Sequence, residues 1–227
     1  HVMIACGSRP ARDAKIPFDG QRVLDADQLL RIGEIPRQMM VVGAGVIGLE
    51  YASMLAALGT EVTIIEARST ILDFVDRELI DTLCYHMRQL GATFRLGEKV
   101  VDIATDDRNR VIARLESGKR VISDGLLYAV GRQANADQLN LEAAGIKTDA
   151  RGRLEVNEFF QTSVPHIYAA GDVIGFPALA STSMEQGRLA SCHMFGVACA
   201  HTPELLPYGI YTIPEMSMVG KTEQQLT

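Results

Sequence analysis

Met39-Met40-Val41-Val42-Gly43-Ala44-Gly45-Val46-Ile47-Gly48-Leu49-Glu50 is the stretch that decides how this chain of 227 residues folds. Its first four residues are a continuous apolar run, the pattern of a strand buried on both faces. Three glycines in the spacing GxGxxG follow. An apolar helical pattern then runs through Glu50, Met54, Leu55 and Leu58 to Gly59, where a helix C-terminal cap belongs. Glu61-Val62-Thr63-Ile64-Ile65-Glu66 reads as a second strand. Strand, glycine turn, helix and strand follow one another at the spacing of a βαβ unit.

Each glycine has its own physical reason. Gly43 permits the tight turn, Gly45 lets a pyrophosphate approach the backbone, and Gly48 lets the helix pack close to its strand. The helix N-terminus offers unpaired N–H groups and partial positive charge to phosphates. Glu66 closes the second strand, where a carboxylate accepts hydrogen bonds from an adenosine ribose. The glycine triplet alone is weak evidence, and its context of strand, helix and acid makes it specific.

Working outward, a second helix is expected from Asp76 as N-cap to Gly91. It places Leu79, Ile80, Leu83, Cys84, Met87 and Leu90 on one face. Residues 100–104, 110–116 and 119–122 are β-prone runs separated by turn residues, the pattern of an antiparallel meander. Leu126-Leu127-Tyr128-Ala129-Val130 resumes the buried-strand pattern and ends at Gly131-Arg132. On the other side, residues 1–6 read as a strand, followed by proline-marked loops at 10–17 and 33–36. The polar residues 148–153 mark a further boundary. His166-Ile167-Tyr168-Ala169-Ala170 is a strand running into Gly171-Asp172, where an aspartate can cap the turn or accept from a polyol or ribose chain. A helix is expected from Thr182, with Glu185 completing a capping box. The expected class is α/β throughout. The chain opens on a strand already under way and stops in what reads as a first helical turn, so it is expected to be part of a longer protein. Its opening run is too short, and lacks the basic start, for a signal peptide.

Composition narrows the function. Lys plus Arg number 22 and Asp plus Glu 28, a net charge of −6, which argues against a nucleic-acid binder. Apolar residues at 47% and charged residues at 22% exclude disorder as the main state. No run approaches the roughly 18 uncharged apolar residues of a membrane span. The four cysteines, Cys6, Cys84, Cys192 and Cys199, form no CxxC and no zinc-finger spacing. They read as free thiols acting as small buried hydrophobes, which fits a reducing, cytoplasmic setting. His86, His193 and His201 have no acidic partner at metal spacing and are read as surface or packing residues. No metal site and no catalytic side chain are assigned.

The motifs also carry a resemblance. Ala5-Cys6-Gly7-Ser8-Arg9-Pro10, Val42 through Glu50, Ala129-Val130-Gly131-Arg132 and Ala169-Ala170-Gly171-Asp172-Val173 stand in the order and spacing of the flavoprotein disulfide reductases. The chain resembles that family along its whole length, and within it the transhydrogenases. Leu127-Tyr128-Ala129-Val130-Gly131-Arg132, Asp172-Val173-Ile174-Gly175-Phe176-Pro177, Gly209-Ile210-Tyr211-Thr212-Ile213-Pro214-Glu215 and Val219 to Thr227 carry the narrower likeness.

The resemblance implies a Rossmann-like NAD(P)-binding domain inserted in a split FAD-binding domain of similar fold. Residues 1–35 would end the first FAD segment, 36–150 form the NAD(P) domain, 151–206 the second FAD segment, and 207–227 begin a dimerisation domain. The family's first dinucleotide fingerprint, its redox disulfide where one exists and its His–Glu acid/base pair would all lie outside this chain.

Carried over residue by residue, Gly43, Ala44, Gly45, Val46, Ile47, Gly48, Glu50 and Glu66 would hold the nicotinamide dinucleotide, with Gly131 near its nicotinamide end. Apart from the resemblance, Arg68 stands two residues beyond Glu66, as the nearby cation that could pair with the 2′-phosphate of NADP or as a solvated surface charge. Cys6 (where the family usually has threonine), Gly7, Ser8 and Asp172 would touch FAD, Asp172 through the ribityl chain. Ala178, Leu179, Ala180 and Ser181 would set a helix N-terminus against the flavin. The implied cofactors are FAD, NAD and NADP, and the implied state of the full-length protein is a homodimer. The implied reaction is hydride transfer from NADPH to NAD. Lipoamide dehydrogenase or another disulfide reductase is the enzyme alternative, and a nucleotide-binding module without activity is the alternative from another class.

Overall fold

The computed structural model describes residues 1–199 and 207–227, so His201 and the expected boundary at 206 lie outside the described residues. In chain order the first elements are β1 (Val2–Ile4), β2 (Ser8–Pro10), β3 (Val23–Leu24), α1 (Ala26–Leu29), β4 (Gln38–Val42), α2 (Val46–Ala57), β5 (Glu61–Glu66) and α3 (Arg77–Gln89). There follow β6 (Thr93–Leu96), β7 (Val100–Thr105), β8 (Val111–Leu115), β9 (Arg120–Ser123), β10 (Gly125–Tyr128) and β11 (Arg132–Ala134). The last are β12 (Ile167–Ala169), α4 (Ala180–Met194), β13 (Tyr208–Ile210), β14 (Met216–Met218) and α5 (Glu223–Leu226).

The chain divides into two compact units. One is Pro10–Gly131 with Pro207–Thr227, and the other is His1–Arg9 with Arg132–Leu206. They are cut differently from the segments expected above. Val23 and Leu24 pair with Leu126 and Leu127, so β3, which lies before residue 36, joins the sheet of the first unit. Ala134, Ala136 and Ile146 pack with Ile4, Leu154 and Ile167, so residues 132–150 belong to the core of the second.

The first unit is built on a sheet of order β3-β10-β4-β5-β6, parallel at every pairing. The alternation of a strand's side chains sorts its apolar run onto two faces. Met39 and Val41 face a core with Leu49, Ala52 and Leu55 of α2 and Leu83 and Met87 of α3. Met40 and Val42 face Ile103, Val111, Ala113, Leu115 and Val121 of the antiparallel β7-β8-β9 meander. That two-sided burial is why the strand shows no polar alternation. In the second unit β1 pairs in parallel with β12, over a core of Ile4, Ala134, Leu154, Ile167 and Val173.

Several expectations are corrected. Asp76 does cap α3, and Ile80, Leu83, Cys84 and Met87 are buried, but Leu79 and Leu90 stand 37% and 43% exposed at the edge of its apolar stripe. α4 starts at Ala180 rather than Thr182, because the extended residue before it is Leu179. Thr182 is buried inside the first turn, and Glu185 pairs with Arg188, so the capping box is not made. Cys192 and Cys199 are not free thiols but a disulfide. The chain reverses at Gly196 (φ +64) and brings their Cα atoms to 6.2 Å. Cys84 is a buried free thiol, and Cys6 a half-buried one.

The loop between residues 10 and 36 holds structure that its prolines obscured. Asp25, almost fully buried, caps α1 by accepting from the N–H groups of Asp27 and Gln28 at 3.0 and 2.8 Å. Gln28 reaches back to the Asp25 N–H, and Arg12 donates to the same carboxylate. Asp25→Ala is expected to lower the unfolding free energy by about 1 kcal/mol or more, read as a lower urea midpoint at unchanged slope. An unchanged midpoint would show that this cap carries no stability.

Candidate functional site

The GxGxxG turn joins β4 to α2. Gly43 has φ +103, and a Cβ there would stand 2.5 Å from the Ala129 carbonyl oxygen. A Cβ on Gly48 would overlap the Gly43 carbonyl oxygen. Packing and backbone conformation thus explain two of the three glycines. Gly45 is different: its φ is −77°, open to any residue, and a Cβ would meet nothing within 4 Å. It is the N-cap of α2, with no side chain capping the helix and no acid in the first turn. Open space, N–H groups that no side chain caps among the described residues, and the positive end of a twelve-residue helix coincide there.

Glu66, at the end of β5, closes the other side of the turn. Its Oε2 accepts from the Ala44 N–H at 2.8 Å, and its Oε1 from the N–H and Nε of Arg68 at 3.0 and 3.1 Å. Burial alone would push this carboxyl up. The Arg68 guanidinium, the two N–H donors and the Arg68 charge outweigh it, so Glu66 sits below the ordinary carboxylate range. Arg68 is half-exposed and lies 3.6 Å from Asp73 as well. It is tied to two carboxylates rather than being a solvated surface charge. Val46 and Ile47 form the first turn of α2. Glu50 points elsewhere: its carboxylate accepts from the Tyr211 N–H at 2.8 Å, which fastens the C-terminal segment to α2. Gly131 accepts from the Ala11 N–H at 3.0 Å.

The second unit gathers the other candidates. Gly7 has φ +68, and Ser8 Oγ donates to Asp172 Oδ2 at 2.7 Å. Arg132 donates from Nε to Ser8 Oγ at 2.6 Å and from Nη2 to the Ser8 carbonyl at 2.7 Å. Asn135 donates to the Cys6 carbonyl at 3.1 Å. Burial, together with the charge of Asp137, holds the Cys6 thiol above its ordinary value and so in the unreactive protonated form. The N–H of Gly171 is held by the buried Gln186 of α4 at 2.8 Å. Ala178 leads into Leu179, the N-cap residue, and Ala180 and Ser181 open α4, again without a side-chain cap.

Among the described residues no helix is long and apolar enough to cross a membrane, and no cluster of three or more His, Cys, Asp or Glu is gathered as a metal site. His86 is exposed, and His193 hydrogen-bonds Tyr168 and stacks on Phe159.

The pattern that defines the pyridine nucleotide-disulphide oxidoreductases matches residues 1–187. The chain belongs to that family. The soluble pyridine nucleotide transhydrogenase of Mycobacterium bovis (strain BCG / Pasteur 1173P2) is 52% identical over all 227 residues, which cover 48% of that protein. That of Serratia proteamaculans (strain 568) is 48% identical, over 100% of this chain and 49% of its own. Among solved structures, the HOCl-induced flavoprotein disulfide reductase RclA from Escherichia coli superposes with TM-score 0.90 at 32% identity, covering 99% of this chain and 52% of that one. LpdA from Mycobacterium tuberculosis gives 0.92 at 27%, over 99% of this chain and 49% of its own. The chain thus spans about half the length of the relatives it matches, and its fold is the family's Rossmann-like α/β fold.

Sequence alone assigns no role to Arg132, Asn135 or Gln186. Arg132 carried a signal, a cation directly after a strand-ending glycine. Asn135 and Gln186 carried none, because only the fold sets them beside Cys6 and Gly171.

The two kinds of glycine separate experimentally. Gly48→Ala is expected to lower stability, since its Cβ must displace backbone. Gly45→Ala is expected to leave the unfolding midpoint unchanged and to weaken NADH binding in a fluorescence titration. Unaltered NADH affinity in Gly45→Ala would remove this turn as the binding site. Glu66, held below its unfolded value, contributes stability that is present above the ordinary carboxylate range and lost as pH falls through the lowered native value. Glu66→Gln is therefore expected to be less stable than the native protein at neutral pH, the gap narrowing in acid. A pH-independent gap would show that its charge does not stabilise the turn.

Proposed function

We propose that the protein containing this chain is an FAD-dependent oxidoreductase that moves hydride from NADPH to NAD, acting as a cytoplasmic homodimer. The observation that carries the nucleotide part is Gly45, a glycine that neither backbone conformation nor packing requires, at an open and uncapped helix N-terminus. A pyrophosphate needs that combination. The relatives named as transhydrogenases, at 48% and 52% identity, support the reaction.

In this reading the N–H groups at the start of α2 bind the dinucleotide pyrophosphate. Glu66, already oriented by Ala44 and Arg68, accepts from the adenosine ribose. Arg68 leaves its carboxylate partners to meet the 2′-phosphate of NADP. Gly131 lies at the nicotinamide end. The second unit would hold FAD: Cys6, Gly7, Ser8 and Asp172 beside its sugar-alcohol chain, and the N–H groups of Ala180 and Ser181 toward the anionic edge of the ring. These groups fit it, since the carboxylate accepts from hydroxyls and the uncapped N–H groups stabilise negative charge. Flavin supplies a two-electron hydride acceptor and donor, while the residues bind and orient.

Disulfide reduction is the second reading, favoured by the likeness to RclA, named as a flavoprotein disulfide reductase. The whole protein, assayed with NADPH and thio-NAD, is expected to reduce thio-NAD and to leave lipoamide and glutathione disulfide untouched. The reverse pattern would replace this function with the second reading. Arg68→Ala is expected to weaken NADPH binding roughly ten- to a hundredfold more than NADH binding, the worth of a charge-assisted phosphate contact. Equal losses would leave Arg68 as a partner of Glu66 alone.

A further inference from the structure

Asp172 is held through a chain of three side chains whose hydrogen bonds can run in only one direction. Arg132 is a donor without acceptor capacity, and a carboxylate accepts only. The Ser8 hydroxyl between them, 2.6 Å from Arg132 Nε and 2.7 Å from Asp172 Oδ2, must accept from the arginine and give its single proton to the aspartate. That proton is committed, so the hydroxyl has none left to donate to a ligand. A second bond, from Arg132 Nη2 to the Ser8 carbonyl at 2.7 Å, ties the guanidinium to the backbone beneath. Arg132 and Asp172 are themselves 3.8 Å apart, too far for a direct hydrogen bond, so the hydroxyl is the link. Both are about 31% exposed, so the group stands at a surface rather than in the core.

The backbone of Asp172 is fixed independently. Gln186 holds the Gly171 N–H, and the Asp172 carbonyl accepts from Gly175 at 3.1 Å. With backbone and Oδ2 both anchored, the carboxylate plane is set and Oδ1 is the oxygen left to accept. Among the described residues Oδ1 has no hydrogen bond.

We infer that Ser8 and Arg132 are positioning residues: they act through Asp172, setting its free carboxylate oxygen to accept from a hydroxyl of a sugar-alcohol chain. Ser8 therefore contributes by orienting Asp172 and not by its own contact. The inference rests on the reading that Asp172 meets the FAD chain.

The test uses whole holoprotein stripped of flavin and titrated with FAD, affinity being read from the quenching of flavin fluorescence. Asp172→Ala is expected to weaken FAD binding. No change in that variant would overturn the underlying reading, independently of the inference. Given a loss there, Ser8→Ala is expected to weaken binding about tenfold, and Ser8→Thr, which keeps the hydroxyl, to restore it. Arg132→Gln is expected to fall between them.

The decisive measurement is the double variant. In the Asp172→Ala background, Ser8→Ala should cost nothing further, because the side chain it acts through is gone. Additive losses would overturn the inference and make Ser8 a direct contact. A full-strength Ser8→Ala protein beside a weakened Asp172→Ala one would also overturn it. Should Ser8→Ala fail to fold, Arg132→Gln alone and in the Asp172→Ala background gives the same cycle, with the same outcomes deciding.

Discussion

α2 can begin where it does only because Gly48 puts no side chain against the carbonyl of Gly43. That close approach seats the start of the helix on the end of β4, and the same carbonyl segment lies against Ala129 beyond β10. Three elements therefore converge at the carboxyl ends of parallel strands, where the positive end of a helix can be offered to a ligand. Glu66 completes the constraint by holding the Ala44 N–H from the end of β5. The turn is thus braced from within the protein before any nucleotide arrives, and Gly45 remains the one glycine left for the ligand to explain.

The first unit obtains its stability from a sheet buried on both faces. α2 and α3 cover one face and the meander the other, and Met39 and Met40, neighbours in sequence, lie in different cores. Such a sheet leaves little freedom for polar side chains in its strands, so polar chemistry is displaced to the strand ends and the turns after them. Glu66 and Arg68 follow this rule in the first unit. Ser8, Arg132 and Asp172 follow it in the second, where each stands in or just beyond a short strand.

The two groups differ in how their carboxylates are held. Glu66 is nearly buried and receives an arginine directly, with backbone N–H groups completing its shell. Asp172 is more open and receives its arginine through a serine hydroxyl. The first arrangement braces a turn whose shape matters. The second orients one oxygen and leaves the other available.

Local chemistry was enough to show the strand–turn–helix–strand unit, the meander, the Asp76 cap and the fingerprint glycines, because each depends on residues a few positions apart. Periodicity, turn residues and caps are short-range physics, and the chain writes them out in order. The unit boundaries were not legible in this way. Whether residues 10–35 or 132–150 join one core or the other depends on pairing with strands a hundred residues distant, as Val23 with Leu126 shows. The same holds for the Cys192–Cys199 disulfide, which needs the reversal at Gly196, and for the start of α4, which local capping preference placed two residues late. The Arg132–Ser8–Asp172 chain spans 164 residues between serine and aspartate. By itself the sequence determined which elements form and which residue types stand at their ends. Only the tertiary structure decided which of those ends meet, since hydrogen-bond partners distant in sequence are chosen by the packing of the strands that carry them.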